Sequence, residues 1–125
     1  MNTFFNSTQP IYRQIISRVL IAIAKGELPP GGKISPVRDM AANFKVNPNT
    51  MQKSLAKLEE MGYLYTERTS GRFVTADVEL IGKLKKTLPY DVTENYITEM
   101  IDCGMAREEI PAYVEDFIKG VKNNG

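Results

Sequence analysis

The most regular pattern of apolar and polar positions in the chain lies between Ser35 and Gly62. Its first part predicts a short amphipathic helix, because Ser35 is a favourable N-cap and Pro36 would be the first helical residue, where a missing N–H costs nothing. Lys45 belongs to the tight turn that follows. Four apolar side chains recur in this helix at helical spacing: Val37, Met40, Ala41 and Phe44.

A second helix is predicted directly after the turn. Asn47 is its N-cap candidate, Pro48 its first residue and Gly62 the residue that terminates it. Two short capped helices separated by two or three residues form a helix-turn-helix, whose second helix is shaped to enter the major groove of DNA. The apolar positions of this second helix are Met51, Leu55, Leu58 and Met61.

The outward face predicted for the second helix carries hydrogen-bonding side chains and cations but no carboxylate. Such side chains suit base edges and phosphates, whereas a merely solvated helix face is the alternative for a polar stripe considered alone. The capped helix before this face and the strands after it favour DNA binding. The predicted contact residues are Asn49, Thr50, Gln52, Lys53 and Lys57.

A longer scaffold helix is predicted ahead of this motif, from Pro10 to Gly26. Residues 27–33 form a loop by composition, and Ile34 predicts a short strand that pairs with a later hairpin. Residues 1–8 predict an extended arm, with disorder as the alternative. The broad apolar stripe of the scaffold helix consists of Ile11, Ile15, Ile16, Val19, Leu20 and Ile23.

A β-hairpin is predicted after the second helix, with strands at residues 63–66 and 73–75 and a turn at 69–71. Arg68 and Arg72 stand on either side of this turn, close to Gly71. A thin hairpin that carries arginines beside a glycine can lie along the minor groove, where the narrow, negative channel favours guanidinium groups. The alternative is an ordinary surface hairpin whose charges keep it soluble.

Residues 77–125 predict three short helices. The first ends before Pro89, the second occupies residues 92–103 and stops at Gly104, and the third begins near Ile110. The third has the clearest amphipathic stripe in the chain. Its apolar positions are Ile110, Tyr113, Val114, Phe117, Ile118 and Val121.

Three short helices cannot enclose a core of their own, so their apolar stripes predict burial against a second copy of the chain. Packing against the scaffold helix of the same chain is the alternative. Tyr96 and Met100 of the second tail helix join the third-helix stripe as predicted dimerisation residues. Tyr90, Tyr96, Met100, Met105 and Tyr113 could line a small effector pocket, but side chains of this kind at helical spacing are more often plain core.

The charge of the chain is divided unevenly between its two parts. The net charge is +1 over 125 residues, but residues 1–76 hold ten Lys or Arg and five Asp or Glu, while residues 77–125 hold six and ten. A basic first part and an acidic second part fit a DNA-binding domain joined to a segment that stays away from phosphates.

Catalysis and membrane insertion are not predicted. The chain has no histidine and no glycine-rich phosphate loop, so we expect neither an enzyme nor a cofactor or metal. The acidic pairs Glu59/Glu60 and Glu108/Glu109 are expected to be solvated charges. Without an apolar run of about 18 residues or a signal-like start, the chain is expected to be cytoplasmic. The single Cys103 predicts a small buried residue rather than a redox switch.

Three runs within residues 10–75 carry a resemblance to a known family: PIYRQII…IAKGELPPGGKI, PVRDMAANFKVNPNT and LEEMGYLYTERTSGRFV. Together they resemble the winged helix-turn-helix of GntR-family bacterial transcription regulators. The resemblance implies that Arg38 contacts the operator and that Lys33 contacts a phosphate. It also matches Asn49, Thr50 and Gln52 to the start of the family's recognition helix and Gly71 to the glycine at the tip of the wing. Pro48 and Gln52 replace arginines that many relatives carry, which favours adenine over guanine readout.

The short tail resembles the YtrA-like branch of this family, in which a brief helical extension serves dimerisation and transporter genes are often regulated. The sequence therefore predicts a mainly α fold with a small β-hairpin wing. Residues 1–76 are the expected DNA-binding domain and residues 77–125 the expected dimerisation tail. The predicted function is a homodimeric repressor of a palindromic operator, and the alternative is a winged helix that binds protein without DNA.

Overall fold

The computed structural model describes residues 10–120. The first helices and the hairpin form a winged helix-turn-helix, and two further helices follow it. No helix among residues 10–120 is long and apolar enough to cross a bilayer. In chain order the elements are α1 (Ile11–Lys25), α2 (Val37–Phe44), α3 (Pro48–Glu60), β1 (Leu64–Glu67), β2 (Gly71–Val74), α4 (Val78–Asp102), a 3-10 helix (Arg107–Glu109) and α5 (Ile110–Ile118).

The core of the winged helix lies where α1, α2 and α3 meet. Ser54 links two of these helices, since its Oγ lies 2.9 Å from the carbonyl oxygen of Thr50 and 3.3 Å from that of Tyr12 in α1. The predicted apolar stripes supply this core, apart from Ile11 and Met61, which are largely exposed. The fully buried apolar side chains of α1 and α3 are Ile15, Val19, Ile23, Met51, Leu55 and Leu58.

The end of α1 and the N-cap of α3 are as predicted, but α1 and α2 each begin one residue later than predicted. Asn47 accepts a hydrogen bond from the Asn49 N–H at 2.7 Å, and Gly26 closes α1 in a left-handed conformation. Ser35 is not the N-cap of α2, because the helix begins one residue later and Pro36 occupies that position without a side-chain hydrogen bond. The extended conformation of Pro36 sets the direction of entry instead.

The turn between α2 and α3 contains Lys45, which has a positive φ of 57°. The Lys45 N–H donates to the Ala42 carbonyl at 3.2 Å, and the Val46 N–H donates to the Ala41 carbonyl at 3.0 Å. These bonds satisfy carbonyl groups at the end of α2 and make the predicted turn tight enough to bring α3 back across α2.

The predicted wing is an antiparallel hairpin in which Leu64 pairs with Val74 and Glu67 pairs with Gly71. The loop before α2 joins it as predicted, through a bridge between Lys33 and Phe73. The Ile34 N–H also donates to the Arg72 carbonyl at 3.0 Å. Strand β2 of the wing is therefore fastened to the segment that leads into the helix-turn-helix.

The tail differs from the prediction at Pro89. The two helices expected before and after this proline are one helix, α4, with Pro89 inside it. Pro89 cannot donate a hydrogen bond to the carbonyl group of Lys85, but both residues are exposed, so water can satisfy that group. The Thr93 hydroxyl donates to the Pro89 carbonyl at 2.7 Å within the continuing helix.

The chain divides into two compact units, one extending to Lys85 and the other beginning at Lys86. The division lies inside α4, whose buried residues Ile81 and Leu84 belong to the first unit. In the second unit Gly104 terminates α4 as predicted, with a φ of +95°. Cys103 is exposed, so the prediction that it is buried is wrong: it follows the last turn of α4, outside any packed layer.

Candidate nucleic-acid interface

The second helix of the helix-turn-helix, α3, has one buried and one exposed face. Its buried side chains repeat at helical spacing from Met51 to Leu58, which leaves the opposite positions in solvent. Thr50, at the boundary, is half-buried. Four of the predicted contact residues share the exposed side of α3: Asn49, Gln52, Lys53 and Lys57.

A tyrosine from α1 lies beside this face. The ammonium group of Lys53 is 4.2 Å from the centroid of the Tyr12 ring, which is cation–π geometry. The Arg13 Nε donates to the Tyr12 hydroxyl at 3.4 Å, and this bond lowers the pKa of Tyr12. The charges of Arg13, Lys53 and Lys57 act in the same direction, so the start of α1 and the exposed face of α3 share one positive region.

A groove of 390 Å³ separates α3 from the wing. The loop before α2, α3 and the hairpin all contribute to its walls. Four predicted contact residues meet there, namely Lys33, Gln52, Gly71 and Arg72. The structure thus brings together residues that are up to 39 positions apart in the sequence.

Gly71, the first residue of β2, lies beside the side chain of Lys33. Its φ of +112° is a backbone conformation that residues with a side chain rarely adopt. A Cβ at this position would lie 3.1 Å from Lys33 Cε, which is tighter than ordinary van der Waals contact. The absence of a side chain at Gly71 therefore allows Lys33 to extend across the start of β2.

Arg38 and Arg68 are exposed at two other points of this unit. Arg38 is the second residue of α2, and Arg68 lies in the turn between β1 and β2. Both guanidinium groups can meet the phosphate backbone or a groove without breaking a buried contact. Their assignment as DNA contacts remains a prediction.

Arg72 is placed differently from Arg68. Its Nη2 lies 3.0 Å from Oε2 of Glu59 in α3, and its side chain is only 16% exposed. The sequence prediction put both wing arginines in the minor groove. In the structure the guanidinium group of Arg72 is turned towards α3, and Arg68 alone of these two side chains is presented to solvent.

Sequence reasoning missed Tyr12 and Glu59. Tyr12 stands in the PIYRQI run, but only the folded chain shows that the start of α1 reaches Lys53. Glu59 was expected to be a solvated charge, whereas its carboxylate accepts hydrogen bonds from Thr66 and Arg72. The alternation of side chains along a hairpin could have placed Thr66 and Arg72 on the same face as each other, but not against α3.

The predicted dimerisation residues are unevenly exposed. Phe117 and Ile118 are 75% and 76% exposed and Tyr96 is 37% exposed, whereas Met100, Tyr113 and Val114 are half-buried. Ile110 is 3% exposed, so its side chain is covered within the single chain and is not offered to a second copy. Val121 lies outside the described residues.

Five tail residues were proposed as an effector pocket or plain core. A groove of 310 Å³ on the tail includes Tyr90 but none of the other four. Tyr90 is 68% exposed and Tyr96 is 37% exposed, so neither is core in the single chain. The groove is lined by Tyr90, Thr93, Glu94, Ile97, Thr98, Ile101 and Arg107.

Known proteins resemble both the winged helix and the whole chain. Residues 11–74 match the family described as "Bacterial regulatory proteins, gntR family". The uncharacterized HTH-type transcriptional regulator YhcF of Bacillus subtilis is 35% identical over 96% of this chain and 99% of its own length. The HTH-type transcriptional repressor YtrA of the same organism is 29% identical over 94% of each chain.

Solved structures agree with the fold. A GntR family transcriptional regulator from Listeria monocytogenes superposes with a TM-score of 0.71 at 37% identity, over 90% of this chain and 98% of that one. The AraR DNA-binding domain in complex with operator ORR3 has a TM-score of 0.52 at 26% identity, over 60% of this chain and 93% of that domain.

These matches establish both the fold and the family of the chain. The predicted mainly α fold with a hairpin wing is confirmed, as is the resemblance to YtrA and its relatives. Proteins of this family are DNA-binding regulators and not enzymes. The chain belongs to the GntR family of transcriptional regulators and carries its DNA-binding winged helix-turn-helix.

Proposed function

We propose that this regulator is a homodimeric repressor that binds a palindromic operator and occludes a promoter. The observation that carries the proposal is the exposed polar and cationic face of α3 above a fully buried apolar face. Such a helix presents side chains to base edges while its packing holds it rigid. In this proposal Asn49 and Gln52 read bases, whereas Lys33, Arg38, Lys53 and Lys57 contact phosphates.

Dimerisation is supported by the second unit considered by itself. Large apolar side chains of α4 and α5 are exposed there, and a second copy would remove them from water. Two recognition helices related by a two-fold axis then read two half-sites of opposite direction. The repressor YtrA, similar over almost the full length, supports repression. The YtrA-like resemblance supports transporter genes as targets.

The first experiment is selection of bound sequences from a randomised DNA pool by the purified full-length protein at moderate salt. We expect enrichment of a palindrome, because a two-fold dimer selects two equivalent half-sites. Enrichment of one undivided half-site would contradict the dimeric reading. No enrichment by a folded protein would contradict sequence-specific binding by the protein alone. Mapping an enriched operator onto the genome tests the transporter targets.

A double variant tests the assigned residues. Arg38→Ala with Gln52→Ala should abolish binding to the selected operator while leaving the dimer intact. The matched control is Ser17→Ala with Lys25→Ala, which also removes one polar group and one cation. Lys25 lies at the far end of α1, about 20 Å along the helix axis from Tyr12. Full binding by the first variant would overturn the assignment of Arg38 and Gln52.

A further inference from the structure

A single carboxylate joins the recognition helix to both strands of the wing. Glu59 lies at the second-last position of α3. Its Oε1 accepts a hydrogen bond from the Thr66 hydroxyl of β1, and its Oε2 accepts one from Arg72 Nη2 of β2 at 3.0 Å. Together the three side chains form a link that we name the wing clamp.

The register of the hairpin places the wing clamp close to the wing tip. Thr66 and Arg72 are directly paired across the two strands. The next pair, Glu67 with Gly71, is the last before the turn that contains Arg68. Glu59 therefore holds the hairpin one pair below its final pair, close to the turn that contains Arg68.

The other attachments of the wing lie on its opposite side or at its base. The Ile34 N–H bonds the Arg72 carbonyl, and the Val74 N–H donates to the Gly32 carbonyl at 2.8 Å. These backbone bonds tie β2 to the loop before α2. The wing clamp instead joins the side chain of Glu59 in α3 to side chains in the upper part of the hairpin.

Charge and burial separate the roles of the two wing arginines. The side chains of Glu59 and Arg72 are 27% and 16% exposed, and their charges offset each other. A paired, mostly covered guanidinium group adds little attraction for phosphate, whereas the exposed Arg68 retains its full charge. A low pKa of Glu59, caused first by the Thr66 hydrogen bond, keeps the carboxylate ionised within this pair.

We propose that Glu59 and Arg72 are positioning residues that hold the wing at the angle from which Arg68 reaches DNA. Arg72 thereby acts through the fold and not as a groove contact. The inference rests on the proposed function, in which α3 and the wing bind one half-site together.

The direction in which one substitution changes operator affinity tests the proposal. Removing a negative charge from a DNA-binding surface should strengthen binding if that charge does nothing else. Glu59→Gln should instead weaken operator binding about tenfold, because the charge-assisted bond to Arg72 is lost and the wing is released. Glu60→Gln is the matched control, since Glu60 is the exposed neighbouring carboxylate and pairs with Lys57 at 3.4 Å. It should leave binding unchanged or make it slightly tighter.

Combining the Glu59 substitution with one at Arg68 distinguishes a positioning role of Glu59 from a general loss of structure. Arg68→Ala should weaken binding in the wild-type background and lower the salt dependence of binding, because phosphate contacts are lost. In the Glu59→Gln background, Arg68→Ala should lower operator affinity by less than twofold, since the wing is already displaced. Arg72→Gln should behave like Glu59→Gln, and the two together should be no weaker than either alone.

Three outcomes of the binding measurements would overturn the proposal. They are tighter binding by Glu59→Gln, additive losses for Glu59→Gln with Arg68→Ala, and additive losses for Glu59→Gln with Arg72→Gln. Amide hydrogen exchange of the free protein supplies a test that needs no DNA. Exchange should rise at residues 67–71 in Glu59→Gln while α3 stays protected, and unchanged exchange there would also overturn the proposal. Failure of the wild-type protein to bind any operator would count against the proposed function. The exchange result would still show whether Glu59 holds the wing.

Discussion

The two compact units of this regulator differ in where they place their apolar side chains. Among the described residues, sixteen of the seventeen buried apolar side chains belong to the unit that ends at Lys85, and only Ile110 belongs to the other. The first unit also exposes some large apolar side chains, of which Val78 at 69% is the most exposed. The second unit buries almost none of its own and exposes large apolar side chains on α4 and α5, with Phe117 and Ile118 about three-quarters exposed. The first unit is packed as a single chain, whereas the second is suited to packing against another copy.

The proposed function assigns a different task to each unit: DNA binding to the first and dimerisation to the second. A DNA-reading surface must be rigid, and the fully buried residues behind α3 supply that rigidity. A dimerisation surface needs apolar area that is left uncovered by its own chain. The predictions that follow test the difference between the units, beginning with the largest expected effect.

The largest loss of stability is expected from the core of the first unit. Leu55 is fully buried in α3, and Leu55→Ala should lower the free energy of unfolding by about 2–5 kcal/mol because it removes buried methyl groups and leaves a cavity. Lys57→Ala, an exposed change on the same helix, should alter it by less than about 0.5 kcal/mol. Urea unfolding followed by circular dichroism measures both. Similar losses in the free energy of unfolding for the two variants would contradict the assignment of one buried and one exposed face to α3.

The next effect is expected from the tail and should appear in association, not in folding of the first unit. Phe117→Asp places a charge on the exposed apolar surface of α5, so light scattering should give the mass of a monomer. Operator affinity should fall about 100-fold, because two half-sites are no longer bound by one linked molecule. Lys119→Asp, two positions further along, is the matched control and should remain dimeric. A dimeric Phe117→Asp protein would place the interface elsewhere.

A smaller effect is expected from comparing hydrogen bonds at the helix starts of the two units. Asn47→Ala removes the 2.7 Å N-cap bond of α3 and should cost about 1 kcal/mol of stability. Glu109→Ala removes the bond at 3.1 Å between the Ala106 N–H and the Glu109 carboxylate before α5. It should cost less because this bond is longer and precedes a 3-10 helix of only three residues. Thermal unfolding of both variants gives the comparison. A larger loss for Glu109→Ala would show that the tail is the more cooperative unit.

The smallest effect is expected in acid and belongs to the first unit. The pKa of Glu59 is lower when the protein is folded than its ordinary value of 4.5, through the bonds from Thr66 and Arg72. Folding therefore favours the ionised carboxylate, and its contribution is present above pH 4.5 and lost as the pH falls through the lower folded pKa. Glu59→Gln should remove this part of the acid dependence, which unfolding measured at a series of pH values would show. An unchanged slope below pH 4.5 would contradict it.

Local signals explain how much of the fold was predictable. The apolar spacing of α1, α2 and α3, the Asn47 cap and the hairpin composition each depend on a few neighbouring residues, and the structure follows them. The predictions fail where the effect of one residue on the backbone is smaller than the effect of its neighbours. Pro89 removes one hydrogen bond at an exposed site, which the rest of α4 tolerates. Ser35 is one residue too early because Pro36 already supplies the extended entry to α2.

The candidate interface was only partly predictable for a different reason. The exposed positions of α3 follow from helical periodicity, so Asn49, Gln52 and Lys53 could be named in advance. The roles of Tyr12, Glu59 and Arg72 depend on contacts between elements that are distant in sequence. Arginine beside a wing tip is equally compatible with a groove contact and with an ion pair, and only the position of Glu59 in the folded chain separates these arrangements.

The contact between Lys53 and Tyr12 gives the molecule an optical property. The chain has six tyrosines and no tryptophan, so its near-ultraviolet emission comes from tyrosine rings. One of those rings lies under an ammonium group on the recognition helix. If Lys53 leaves the ring for a phosphate, as the proposed function requires, the local field at Tyr12 should change, and the emission of the unlabelled protein should change with it. Comparison with Lys53→Ala isolates this ring from the other five, so docking on DNA can be followed without an added fluorophore.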